Sequence, residues 1–116
     1  MRIEAERVTL APFSFRDAGL WFALARDPQV RAHLGGVLPV VPRTKAFVRD
    51  LRLGHRGCLW CVRDNGRRIG LIYLTPTRET GTQELSYLFR PAFWGRGLAS
   101  DAVSALLRHA KQTAPN

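Results

Sequence analysis

The stretch Phe93-Trp94-Gly95-Arg96-Gly97-Leu98-Ala99-Ser100-Asp101-Ala102 joins two segments of different periodicity. Residues 84–89 before it read as a β-strand, and residues 98–110 after it carry apolar side chains at helical spacing. A turn between a strand and a helix directs the unpaired N–H groups of the first helical turn at one point. The two glycines allow the backbone to turn sharply and to approach a ligand closely. The stretch therefore predicts a phosphate-binding turn, to which Arg96 adds a positive charge.

The spacing of the two glycines is equally compatible with an ordinary strand-to-helix connection. A dinucleotide fingerprint needs a third Gly or Ala three residues after Gly97, where Ser100 stands. It also needs an acidic residue about 20 positions later, and the sequence ends before that position. The loop of nucleotide triphosphatases needs Gly-Lys-Ser/Thr, which the sequence lacks. Both nucleotide-binding signatures are excluded.

The segment Trp94-Gly95-Arg96-Gly97-Leu98-Ala99 resembles the acetyl-coenzyme A loop of the GNAT superfamily of N-acetyltransferases. The family signature is Arg/Gln-x-x-Gly-x-Gly/Ala, and Trp94 replaces its first residue. A Trp there, after Pro91 and an aromatic residue, resembles the branch that includes ribosomal-protein N-terminal acetyltransferases. Further similar segments follow in the family's order at residues 7–13, 17–18, 27–30, 70–72 and 84–87.

This resemblance implies one domain over residues 1–116 with an α/β (α+β) fold and a GNAT-like mixed sheet. An N-terminal strand and helices come first, then an antiparallel meander of three strands and the cofactor-binding helix. In the family, a strand, another helix and a closing strand pair follow that helix, so the domain is expected to be incomplete at its C-terminus. Residues 83–89 would then form an edge strand, and a homodimer pairing near this strand is expected.

Local patterns place the individual elements. Strands are predicted at residues 7–11, 58–63, 68–74 and 83–89, with an Asx-Gly hairpin turn at residues 64–66. Helices are predicted from Ser14, which begins a capping-box-like pattern with Asp17, and at residues 28–34, 44–53 and 98–110. The loop at residues 35–42 would shape the acceptor pocket, and His33 beside it is either a base or a solvated helix-end residue.

The resemblance also assigns a cofactor site. The backbone of residues 87–89 would pair with the pantetheine arm as an added strand. N–H groups from residues 95–100 would hold the pyrophosphate at the positive end of the helix dipole. The expected cofactor-binding residues are Tyr87, Leu88, Phe89, Trp94, Gly95, Arg96, Gly97, Leu98, Ala99 and Ser100.

Glu84 is the only carboxylate on the predicted strand and is the expected catalytic base, acting directly or through water. The alternative is an exposed glutamate at a strand start with no catalytic role. Asp101 is explained by the helix dipole alone. No residue can be assigned as the acid that protonates the leaving thiolate.

Composition narrows the remaining choices. The net charge is +9, and the 18 Lys and Arg residues are scattered along the sequence. This pattern argues against a dedicated nucleic-acid surface, whereas polyanionic coenzyme A is a suitable partner. No signal peptide or membrane-spanning run occurs, and a cytoplasmic protein is expected. Cys58 and Cys61 would point to opposite faces of a strand, and no metal site is expected.

These observations predict an enzyme that moves an acetyl group from acetyl-coenzyme A to a primary amine of a small molecule or a protein N-terminus. The alternative is a catalytically inactive remnant that binds coenzyme A or a partner protein. A module that binds through its basic surface is a third reading.

Overall fold

The computed structural model describes residues 2–32 and 40–113, and for residues 40–42 and 113 the backbone only. The strands are β1 (Ile3–Glu4), β2 (Thr9–Pro12), β3 (Leu59–Asp64), β4 (Arg67–Pro76) and β5 (Gln83–Phe89). The α-helices are α1 (Ala18–Arg26), α2 (Pro28–Arg31), α3 (Val40–His55) and α4 (Leu98–Thr113). Single 3-10 turns at Phe15–Asp17 and Pro91–Phe93 precede α1 and α4. His33 and most of the loop predicted at residues 35–42 lie outside the described residues.

The five described strands form one sheet in the order β1-β2-β3-β4-β5. The predicted α/β fold is confirmed, including the meander that leads into the last helix. All described strand pairs are antiparallel, whereas the family resemblance implies a mixed sheet. Strand β5 pairs with β4 from Gly70 opposite Phe89 to Pro76 opposite Gln83. It is an edge strand among the described residues, as the sequence predicts.

The hairpin between β3 and β4 turns at Asn65 and Gly66, whose φ angles are 51° and 80°. Two consecutive left-handed residues are typical of a type I′ turn, which matches the twist of the flanking strands. The predicted Asx-Gly turn is therefore confirmed. Farther along the hairpin, the register shifts between Val62 and Arg63, and Arg63 comes to lie opposite Arg68.

Each face of the sheet carries its own apolar core. Helix α4 covers one face, where Leu98, Ala102 and Leu106 are buried against strand residues such as Ile72. Helices α1 and α3 cover the other face, around Leu20, Leu24, Leu59, Cys61 and Leu71. Leu107 is 48 % exposed although the periodicity places it on an apolar stripe. The stripe at residues 99, 103 and 107 is thus only partly covered by the described residues.

Helix α3 differs from its prediction at both ends. It spans Val40–His55, whereas the apolar pattern predicts residues 44–53. Pro42 lies in its first turn, where a missing N–H costs no intrahelical hydrogen bond. At the C-terminal end, Gly54 and His55 add no apolar side chain to the periodic pattern, so the pattern stops at residue 53.

The first helical segment begins with the capping box that the sequence predicts. The Ser14 hydroxyl accepts a hydrogen bond from the Arg16 N–H (3.3 Å), and the Asp17 carboxylate accepts one from the Ser14 N–H (3.0 Å). Asp17 is 1 % exposed. Its second carboxylate oxygen accepts from Arg68 Nε (2.7 Å) and Arg63 Nη2 (3.5 Å). The local pattern predicts the cap but not this ion pair, whose partners come from two distant strands.

The two cysteines are free thiols in different settings. Cys61 is fully buried on β3, and burial raises the pKa of its thiol to about 12. Cys58 precedes β3 and is partly buried. Among the described residues, no group of three His, Cys, Asp or Glu side chains is arranged to hold a metal ion. Over the same residues, no helix combines the length and apolarity needed to cross a membrane.

Candidate functional site

The free side of β5 is the first part of the candidate site. The Arg90 N–H donates to the Ile69 carbonyl of β4 (2.9 Å), which fixes the direction of the backbone groups along β5. Because these directions alternate in an antiparallel pair, Leu88 and Ser86 bond toward β4, and Tyr87 and Phe89 point away from it. Backbone groups for an added ligand are thus those of Tyr87 and Phe89, and Leu88 faces the site through its side chain.

Trp94 connects this strand edge to the glycine turn. Its indole Nε1–H donates to the Phe89 carbonyl (2.8 Å), and its ring is 43 % exposed. One of the outward carbonyls of β5 is therefore already satisfied by a side chain of the turn. The residue that replaces the first position of the family signature holds the turn against the strand.

The turn itself contains two left-handed glycines, Gly95 (φ 75°) and Gly97 (φ 76°). Helix α4 starts directly after it, and the Asp101 N–H donates to the Gly97 carbonyl (3.1 Å). The N–H groups of residues 98–100 precede that bond and have no acceptor within the helix. They point out of the positive end of a helix of 16 residues, which favours an anion there.

A pocket of about 500 Å³ connects the strand edge and the turn. Its walls include nine of the ten cofactor-binding residues expected from the sequence, and the exception is Arg96. Phe93 and Val30, a residue of α2, complete the wall. The Arg96 guanidinium lies over the Phe93 ring instead, 5.4 Å from its centroid. The nine wall residues are Tyr87, Leu88, Phe89, Trp94, Gly95, Gly97, Leu98, Ala99 and Ser100.

Residues 6 and 7 of the N-terminal segment hold the glycine turn in place through hydrogen bonds. The Asp101 carboxylate accepts hydrogen bonds from the N–H groups of Arg7 (2.8 Å) and Glu6 (3.3 Å). The Arg7 guanidinium donates to the Arg96 carbonyl within the turn (2.7 Å). We call these contacts of Glu6, Arg7, Arg96 and Asp101 the Arg7–Asp101 clamp. Nothing in the sequence pattern indicates it, because its partners are 89 to 95 positions apart.

Glu84 lies at the start of β5, opposite Thr75 of β4. It is exposed and shares a face with Ser86 and Leu88, and it does not line the 500 Å³ pocket. Leu88 packs on the core under α1 and α3, so Glu84 lies on that side of the sheet. The structure thus separates Glu84 from the nine wall residues and places it farther along the same strand.

A buried polar cluster lies on the same side of the sheet and was not predicted. Asp50 of α3 is 1 % exposed and accepts hydrogen bonds from the Tyr73 hydroxyl (2.6 Å) and Trp21 Nε1 (2.8 Å). Burial and the neighbouring carboxylate raise the pKa of Tyr73, so its hydroxyl stays protonated. Tyr73 lies opposite Ser86 on β5. An aspartate in an amphipathic helix gives no sequence signal of such burial.

Comparison with solved structures identifies chains of the same fold. An acetyltransferase from Agrobacterium tumefaciens matches with a TM-score of 0.80 and 25% identity, over 97% of this chain and 68% of that one. A Salmonella typhimurium acetyltransferase that modifies the N-terminal serine of ribosomal protein L7/L12 matches with a TM-score of 0.78 and 15% identity (98% and 70% covered). RimJ of Mycobacterium smegmatis, in complex with CoA-disulfide, matches with a TM-score of 0.69 and 17% identity (96% and 62% covered).

A comparison with curated protein sequences found no match. The family model described as "Acetyltransferase (GNAT) domain" matches residues 7–115, which is nearly the whole chain. The resemblance first indicated by the glycine turn is thereby confirmed. This chain belongs to the GNAT acetyltransferase family, which transfers acetyl groups from acetyl-coenzyme A.

Proposed function

We propose that this protein is an N-acetyltransferase that acetylates a primary amine of a small molecule or a protein N-terminus. The observation that carries the proposal is that the edge of β5 and the N-terminus of α4 line one continuous pocket. Its volume of about 500 Å³ lies within the range of about 300–1,000 Å³ usual for small-molecule sites. The family match supplies the acetyl donor.

In this proposal, the pantetheine arm of acetyl-coenzyme A lies along β5 and pairs with backbone groups of Tyr87 and Phe89. The N–H groups of Leu98, Ala99 and Ser100 bind the pyrophosphate, assisted by the helix dipole. Gly95 and Gly97 bring the backbone close to the phosphates, and Trp94 sets the distance between turn and strand. Leu88 contributes an apolar wall, and Arg96 raises the local positive potential.

The reaction joins the acceptor nitrogen to the acetyl carbonyl carbon and breaks the carbon–sulfur bond of the thioester. An amine is a nucleophile only after its ammonium form loses a proton, so the reaction needs a base near the acceptor. We assign that role to Glu84, acting directly or through water. Its exposure at the start of β5, on the side of α1 and α3, leaves it accessible to an incoming amine.

The acceptor classes follow from the chemistry and from one relative. The Salmonella typhimurium relative acts on a protein N-terminal serine, and its 15% identity supports a common fold. Small-molecule amines present the same nucleophile. The contrasting hypothesis, an inactive remnant that binds coenzyme A, has no support from the family match. The two differ in one measurement, the release of free thiol from acetyl-coenzyme A with a panel of amines.

The first test is coenzyme A binding by the wild-type chain and by Gly97→Ala. We expect coenzyme A to raise the melting temperature of the wild type. Gly97→Ala should weaken binding by about tenfold or more, because a side chain in the left-handed region strains the turn that approaches the phosphates. Calorimetric titration measures the change.

The matched control is Gly57→Ala. Gly57 has the same φ of 76°, and a Cβ there would meet nothing within 4 Å. The control should lose similar stability, about 1 kcal/mol, through backbone strain, and keep its coenzyme A affinity. Equal loss of affinity in both variants would show that the effect is general destabilisation, and unchanged affinity of Gly97→Ala would count against the proposed site.

We also propose a homodimer that pairs near β5. Its support is the outward-facing backbone of an edge strand, a feature that partner chains often cover. Because Tyr87 and Phe89 are assigned to the coenzyme, the pairing would use the first half of β5. Light scattering at micromolar concentration should give twice the chain mass. A stable monomer under these conditions would contradict this proposal and leave the acetyltransferase assignment intact.

A cytoplasmic location is part of the same proposal. Both cysteines are free thiols, as is usual in a reducing compartment.

A further inference from the structure

A second, strongly basic pocket shares Phe93 with the proposed coenzyme site. Its volume is about 660 Å³. Among the described residues, four arginines and no carboxylate line it. We call it the arginine pocket and define it by Arg16, Arg67, Arg68, Arg90 and Phe93. Because Phe93 also lines the 500 Å³ pocket, the two sites share one wall.

Existing hydrogen bonds orient three of these arginines without using all their donors. Arg68 Nε donates to Asp17 (2.7 Å), and Arg90 Nε donates to the Arg68 carbonyl (3.1 Å). Arg67 Nη2 donates to Asp64 (3.2 Å). A guanidinium carries five N–H donors. Each of the three groups is therefore held in place and still has N–H groups to offer to a ligand.

The charges around the pocket do not cancel. Arg68 forms an ion pair with Asp17, and Arg67 forms one with Asp64. Asp17 also forms an ion pair with Arg63. The guanidiniums of Arg67 and Arg96 both lie over the shared Phe93 ring, at 5.2 and 5.4 Å from its centroid, which adds positive charge at the shared wall. The region thus keeps a positive excess where two pockets meet, and such a concave basic site favours an anion.

We propose that the arginine pocket binds a phosphomonoester. Arginine forks match the oxygen geometry of phosphate, and charge-assisted hydrogen bonds to it are short and strong. Two sources carry this group. One is the 3′-phosphate of coenzyme A, whose pyrophosphate is assigned to the neighbouring glycine turn. This first source rests on the proposed function. The other is a separate phosphorylated ligand, which needs no bound coenzyme.

The test compares coenzyme A with 3′-dephospho-coenzyme A by calorimetric titration of the full chain. The variant is Arg16→Gln/Arg67→Gln, since both side chains are exposed and an exposed ion pair such as Arg67–Asp64 adds little stability. The control Arg52→Gln/Arg108→Gln removes the same charge from exposed positions outside the pocket. Thermal unfolding establishes that both variants are folded.

If the 3′-phosphate occupies the pocket, the wild type and the control should prefer coenzyme A over its dephospho form by about tenfold. The double variant should bind both forms alike. Inorganic phosphate, titrated into protein saturated with either coenzyme, identifies the source. If coenzyme A excludes inorganic phosphate and the dephospho form does not, the 3′-phosphate of coenzyme A occupies the pocket. Binding that persists with coenzyme A and disappears in the double variant points to a separate ligand.

Equal affinity of the wild type for both coenzymes, together with no variant-sensitive phosphate binding, would overturn the proposal. Failure of the acetyltransferase assignment looks different. In that case neither coenzyme binds the wild type, and the phosphate titration alone decides whether the arginine pocket binds an anion.

Discussion

Alanine at position 54 is expected to lower the free energy of unfolding by about 3 kcal/mol, the upper part of the usual range for overpacked interiors. Gly54 lies in α3, and a Cβ there would come within 2.1 Å of the Phe13 carbonyl oxygen. That oxygen belongs to the backbone, and the Phe13 N–H is bonded to the Leu59 carbonyl (2.9 Å). Neither α3 nor the backbone at Phe13 can move away without loss of packing or of that hydrogen bond. Urea unfolding measures the difference.

Gly19→Ala is the matched control, because Gly19 is also helical and a Cβ there would meet nothing within 4 Å. Replacement should stabilise the protein by about 0.5–1 kcal/mol through the better helix propensity of alanine. A Gly54→Ala variant within about 1 kcal/mol of the wild type, well below the usual cost of overpacking, would show that α3 can shift away from Phe13.

Glu84→Gln is expected to lower kcat by about 10²–10⁴, the usual contribution of a positioned acid or base. Glutamine keeps the size of the side chain and cannot take the proton of the acceptor ammonium. Coenzyme A affinity should stay unchanged, because Glu84 does not line the pocket assigned to the coenzyme. Thiol release with an amine that the wild type acetylates gives kcat, and calorimetry gives the affinity.

Glu79→Gln serves as the control, since Glu79 is an exposed carboxylate in the loop between β4 and β5. It should leave both quantities unchanged. A Glu84→Gln enzyme with the kcat of the wild type would remove Glu84 as the base. A parallel loss of affinity would instead indicate that the substitution disturbs β5.

The two ends of the candidate site were predicted well because their signals are local. Alternation marks Gln83–Phe89, and helical periodicity begins at Leu98, so strand, turn and helix start follow from neighbouring residues. The two glycines between them have the left-handed φ angles that the predicted turn requires. Nine of the wall residues lie in this short region, whereas Val30 and Phe93 were not predicted, and the expected role of the wall in coenzyme binding comes from the family resemblance.

The polar contacts of the interior could not be predicted, because they join residues far apart in sequence. Arg63 and Arg68 lie directly opposite each other on β3 and β4, an arrangement of like charges that is unfavourable alone. The buried carboxylate of Asp17 contacts both guanidiniums. Only the register shift beside Arg63 brings these three groups together. Periodicity predicts which face a residue occupies but not such a shift.

Asp50 illustrates a second limit. In the pattern of α3 it is one polar residue among exposed arginines, whereas in the fold it is the acceptor for Trp21 and Tyr73. Buried charges are stable only with several donors. Here two of them come from α1 and β4, and Arg49 of α3 itself donates to the other carboxylate oxygen (3.2 Å). A sequence pattern does not predict which distant residues tertiary packing brings within hydrogen-bond distance of a side chain.

The Arg7–Asp101 clamp also has a consequence for how the protein is made. Residue 101 is added 94 positions after residue 7, at about 5–20 residues per second. Several seconds therefore separate the synthesis of Arg7 from that of its carboxylate partner Asp101. The clamp contacts to the glycine turn cannot form completely until α4 has been synthesised. Strands β3, β4 and β5 pair through local contacts that do not involve the clamp, whereas the glycine turn stays unsupported until α4 is present.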